Sequence, residues 1–91
     1  MNETTKAVVT VIGKDMVGIL AKVSASLAEA NVNVVEVTQS VLDGYFCMVM
    51  IVNITDANCA LDGIEAKVKA KAPDMVVHVM HEDIFNSMHR I

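Results

Sequence analysis

Gly13-Lys14-Asp15-Met16-Val17-Gly18-Ile19-Leu20 decides how this 91-residue chain is read, because the sequence changes character on either side of it. Before it, Val8 to Ile12 is rich in β-branched residues, which suit a pleated strand. After it, Met16, Ile19 or Leu20, Val23 and Leu27 recur every three or four residues, the period of a helix buried along one side. The stretch is therefore a strand-to-helix junction between two glycines. Gly13 can take a positive φ where the strand ends, and Gly18 lets a second backbone or a small ligand come close. Asp15 stands where an N-cap belongs, its carboxylate able to accept a first-turn N–H. A helix start offers unpaired amides and a partial positive charge, so the junction can hold a carboxylate or similar small anion. A glycine-ended strand followed by an ordinary capped helix would carry the same residues.

Working outward, Lys6 to Ile12 reads as a strand apolar on both sides, as in the middle of a sheet. The helix spans about Met16 to Ala30, with Lys22, Ser26 and Glu29 away from its apolar side and Asn31 as a left-handed C-terminal cap. From Asn33 to Val41 the period becomes two: Val35, Val37 and Val41 face one way, Glu36, Thr38 and Ser40 the other, and Gln39 interrupts the apolar face. Leu42-Asp43-Gly44 is a hairpin turn, and Tyr45 to Ile54 returns as a second strand apolar nearly throughout. The polar break Thr55-Asp56-Ala57-Asn58 can cap a second helix, lined on one face by Leu61, Ile64 and Val68 and supported by a Glu65–Lys69 pair. Gly63 weakens that helix, and Pro73-Asp74 ends it. Met75 to His81 is a last strand, and Glu82-Asp83 begin a helical tail whose Ile84, Met88 and Ile91 form an apolar stripe that should dock on the sheet or on a partner.

The order β-α-β-β-α-β plus a tail gives an α+β, ferredoxin-like fold. Right-handed crossovers put two helices on one face of a four-stranded antiparallel sheet, with a short C-terminal helix added. Residues 1–91 form one domain, with a core of about 5–82 and a tail of 83–91. Strands one and three are expected to be central. Strand two is an edge, whose valines invite pairing with another subunit.

Composition narrows the function. A net charge of −4 and scattered Lys and Arg argue against a nucleic-acid surface, and 3% aromatic content leaves no base-stacking platform. The two cysteines, Cys47 and Cys59, form no metal or redox pair, and Cys47 should be buried in its strand. No leader peptide and no apolar run near the ~20 residues of a membrane span are present, so a cytoplasmic protein is expected. His78 and His81 are three apart on a strand and point to opposite faces, so no metal site is expected. Neither Ser24 nor Ser26 has a histidine at a constrained distance, and no pair of carboxylates is aimed at one point, so the expectation is no enzyme and no cofactor.

These residues resemble the ACT domain, a small regulatory module that binds amino acids. The likeness lies in Val11-Ile12-Gly13-Lys14-Asp15-Met16-Val17-Gly18-Ile19-Leu20, in Asn31-Val32-Asn33, in Gln39 to Phe46 and in the end from Ile84 to Ile91. More narrowly, the chain is similar to a subgroup of stand-alone ACT proteins akin to the regulator of the glycine cleavage system, with one ACT unit and nothing fused to it. The resemblance implies a homodimer that binds a small amino acid between subunits. Backbone amides of Met16, Val17, Gly18, Ile19 and Leu20 would hold its carboxylate beside Gly13, and Asp15 would face its ammonium or cap the helix. Asn31 and Asn33 would reach in from the neighbouring subunit. A regulated enzyme or regulator is the implied further partner. The competing expectation is a structural or adaptor dimer that binds a protein and no metabolite.

Overall fold

The structure, a computed structural model, describes residues 5–14 and 18–88. Its elements run β1 (Lys6–Gly13), α1 (Ile19–Glu29), β2 (Asn33–Leu42), β3 (Tyr45–Asn53), α2 (Leu61–Lys71), β4 (Val76–His81) and α3 (Glu82–Met88). The four strands form one antiparallel sheet in the order β2-β3-β1-β4, the ferredoxin-like arrangement with β1 and β3 central. The hairpin turn is made by Asp43 at φ 52 and Gly44 at φ 81. Two consecutive positive φ values match the right-handed twist of the flanking strands, which is why Asp-Gly occupies them.

One core lies between the sheet and the helices. Ala7, Val9 and Val11 of β1 and Met48, Met50 and Val52 of β3 meet Ile19, Val23 and Leu27 of α1 and Ile64 and Val68 of α2, all of them buried. Each large side chain so buried contributes roughly 1.5–3 kcal/mol relative to exposure. Among the described residues the other face of the sheet is covered at one end only. There α3 lies against β1 and β4, and Val8, which alternation turns away from the main core, is fully buried. At the far end of the same face Ile12 and Val76 stay exposed.

Several expectations need correction. Helix α1 begins at Ile19 rather than Met16, because Gly18 sits at the N-cap in the left-handed region, at φ 70. No side chain among the described residues caps it, and α2 likewise starts after Ala60 without a side-chain cap. In β2 a bulge between Val34 and Glu36 changes the register. It turns Val34 and Val37 toward the core and leaves Val35 exposed. Ser26, expected on the solvent side, is fully buried, and its hydroxyl lies 3.1 Å from the Lys22 carbonyl and 3.3 Å from the Lys67 carbonyl across the helix pair. Only a small side chain fits where two backbones approach so closely. In the tail, Ile84 is exposed and Phe85 half-buried, so Ile84 does not dock on the chain's own sheet. Ile91 lies outside the described residues. Cys47 is half-buried, because β3 shows its second face to the part of the sheet that α3 does not reach.

Candidate functional site

The residues singled out in the sequence separate to opposite ends of the sheet. Gly13 pairs with Phe46 at one end of β1, while Lys6 at the other end pairs with Asn53, which in turn pairs with Asn33. The strand is eight residues long, so its ends lie roughly 23 Å apart at ~3.3 Å per residue. Helix α1 runs back along the sheet, so Gly18 is at the Gly13 end and Asn31 at the Asn33 end. Within one chain Gly18 and Asn33 therefore do not meet.

At the Gly13 end the two glycines have different reasons. Gly18 owes its identity to φ 70, and among the described residues nothing lies within 4 Å of where a Cβ would sit. Gly13 does not take a positive φ; a side chain there would overlap the thioether of Met75. Asp15, Met16 and Val17 lie outside the described residues. The first turn of α1 carries no acidic side chain, in contrast to α2, which has Asp62 there. The positive pole of α1 is thus left without an internal counter-charge among the described residues. Ile19 is buried in the core, and Leu20 is 40% exposed beside it.

At the other end, a cleft of about 480 Å³ is lined by Ala28, Asn31, Val32, Asn33, Asn53 and Asp56. Asn31 holds the left-handed conformation at φ 59, as its place after the helix suggested. Its amide nitrogen donates to the Asp56 carbonyl at 2.8 Å, a bond glycine could not make. The Asn58 side chain donates to the Glu29 carbonyl at 3.0 Å, and the Asn53 side-chain oxygen accepts from the Thr55 N–H at 2.9 Å. These bonds fix the β3–α2 loop against the end of α1. They leave the Asn33 amide and the Asp56 carboxylate facing the cleft without a side-chain partner among the described residues. Asn53 and Asp56 were missed in the sequence, since nothing local tells that a loop 25 residues on folds back beside Asn31.

A second cleft, about 420 Å³ in volume, opens where β1 ends, lined by Ile12, Gly13, Lys14, Tyr45, Asp74, Met75 and Val76. Sequence reasoning gave it no role. Among the described residues no three His, Cys, Asp or Glu side chains gather as metal ligands, and no helix is long and apolar enough to cross a membrane.

The edges of the sheet differ as well. On β4 the Val79 N–H donates to Glu65 Oε1 at 2.9 Å, so a side chain of α2 covers that edge. No side chain among the described residues bonds a backbone amide of β2, along which Val35, Val41 and Leu42 are 50%, 56% and 71% exposed.

Comparison with known proteins adds to this geometry. Residues 5–82 match the family described as ACT domain. A UPF0237 protein of Listeria monocytogenes is 47% identical over 88 residues, covering 94% of this chain and 99% of that protein. Among solved structures, an ACT domain protein from Streptococcus pneumoniae is 32% identical, with a TM-score of 0.76 over 91% of this chain and 96% of that one. A candidate glycine cleavage system transcriptional repressor shares the fold at 17% identity, with a TM-score of 0.61 over 88% of this chain and 47% of its own.

Proposed function

The chain belongs to the ACT-domain family, and on that premise we propose that it is a non-catalytic regulatory module binding a small amino acid where two copies meet. The observation that carries this reading is the direction of α1 beside the unguarded edge of β2. If β2 pairs with the β2 of a second copy, antiparallel and about a two-fold axis, the Leu42 end of one strand lies beside the Asn33 end of the other. The open helix start at Gly18 then faces the partner's Asn31 and the partner's Asn33. The ligand carboxylate meets the free amides of one chain, and its ammonium meets the polar cleft of the other. Small polar amino acids such as glycine and serine fit a cleft walled chiefly by amides.

Regulation follows from linkage. A ligand that bridges two chains binds the dimer and not the monomer, so it stabilises the dimer as its concentration rises above its Kd. The assembled dimer, extended to an eight-stranded sheet, would be the form that a regulated enzyme or regulator reads.

Titration calorimetry against the twenty amino acids tests the reading. Heat is expected with at least one small polar amino acid, and is expected to vanish in Gly18→Asn, which keeps the left-handed turn but fills the open space, and in Asn33→Ala. Silence with all twenty would contradict it and leave a structural dimer.

A further inference from the structure

We infer that β4 is a second strand-pairing edge for another copy of this chain, and that the Glu65 side chain is the guard that keeps it shut. This does not rest on the seam along β2, because β4 forms the opposite edge of the sheet. The strand itself carries none of the usual deterrents to pairing. Val76–His81 reads Val-Val-His-Val-Met-His, with no proline, lysine or carboxylate, and no bulge interrupts its register with β1. Val76 at its start is 56% exposed. An edge rich in β-branched residues and without a fixed charge is a template for a further strand.

The register makes this edge complementary to itself. In an antiparallel pair, backbone amides turn alternately toward the neighbouring strand and away from it. The Val79 N–H goes to Glu65 Oε1 at 2.9 Å and not to β1, so the outward amides are those of Val77, Val79 and His81. A second β4 laid antiparallel about a two-fold axis at Val79 sets Val79 against the partner's Val79 and Val77 against the partner's His81. Every outward amide then faces a carbonyl, giving about six backbone hydrogen bonds. At the centre of that pairing lies the amide that Glu65 already holds. Lys69 Nζ, 3.2 Å from the other carboxylate oxygen, steadies the side chain there. No other side chain among the described residues bonds an amide of β4. A partner strand must displace a charge-assisted bond at the two-fold axis before its own ladder can close. One side chain of α2 therefore decides whether the sheet can grow past β4.

The test is the mass of the full chain by light scattering after size exclusion, at low and at high micromolar concentration. Glu65→Ala removes the guard and keeps α2, since alanine is the strongest helix former. At high concentration it is expected to reach about twice the wild-type mass or more. The product is a dimer if the wild type is a monomer, and a tetramer or longer if the wild type is already joined along β2, so this inference and the seam fail separately. Val79→Pro added to Glu65→Ala deletes the central N–H at an edge where the ring is tolerated, and should restore the wild-type mass. Circular dichroism establishes that each variant compared is folded. Folded Glu65→Ala at the wild-type mass overturns the inference. So does a gain in mass that persists in the folded double variant, because the contact then lies on another surface.

Discussion

The backbone N–H of Val79 donates to the carboxylate of Glu65 at 2.9 Å, so a side chain of α2 holds an amide of the edge strand β4. Lys69 Nζ, one turn further along α2, lies 3.2 Å from the other oxygen of the same carboxylate. One edge of the sheet thus takes a bond from its own helix, while the other, β2, takes no side-chain bond to its backbone amides among the described residues. The proposal of a seam on β2 draws on this asymmetry.

The bond to Val79, followed by the hydrogen bond and charge of Lys69 and by the more distant His78, outweighs partial burial and holds the Glu65 carboxyl below its ordinary pKa. A carboxyl lowered in the folded state stabilises the fold above the pKa of the unfolded chain, and that contribution is lost as pH falls through the folded value. Glu65→Gln should therefore cost about 1 kcal/mol at pH 7, discounted for the partial exposure of the group. The gap should close in acid, below the ordinary carboxylate range. Urea midpoints of both proteins at pH 7 and pH 3 check it; an equal gap at both would contradict the linkage.

Gly13 is small because Met75 is there. Gly13→Ala should destabilise by about 1–3 kcal/mol through overpacking, and Met75→Ala in the same chain should relieve much of that cost. A double-mutant cycle measured by urea denaturation should show a favourable coupling of at least ~0.5 kcal/mol. Simple additivity would mean that the thioether swings aside freely.

Gly18 is a glycine for a different reason, and its variants should behave differently. With φ 70 and open space around it, the cost of a side chain is conformational and not steric. Gly18→Asn should lose well under 1 kcal/mol, since asparagine tolerates the left-handed region, whereas Gly18→Val should lose about 2 kcal/mol. Equal losses on thermal melting would indicate a clash in place of strain.

Much of this fold could be read from sequence because its signals are local. The Asp43-Gly44 turn, the β-branched strands and the Glu65–Lys69 pair each declare themselves within a few residues, and the strand ends agree to within a residue or so. Features set by long-range packing could not be read. The bulge at Val34 to Glu36 leaves no mark in an alternating run of valines, and the burial of Ser26 depends on where α2 crosses α1. The site was legible by half. Asn31 announced its left-handed conformation, whereas the positive φ expected at Gly13 falls at Gly18, and the partnership of Asn31 with Asp56 and the cleft around Tyr45 arise only when distant segments meet.

The central claim, a binding site shared between two chains, is tested most directly by mixing two defective variants. Gly18→Asn removes the helix-start half of each site and Asn33→Ala the polar half, so neither protein alone should take up the amino acid that the wild type binds. Exchanged in equal amounts, half of the dimers are mixed and each carries one intact site, so calorimetry should recover about a quarter of the wild-type capacity. If the mixture binds no more than the two variants measured apart, the two halves do not belong to one site and the seam is not where the ligand lies.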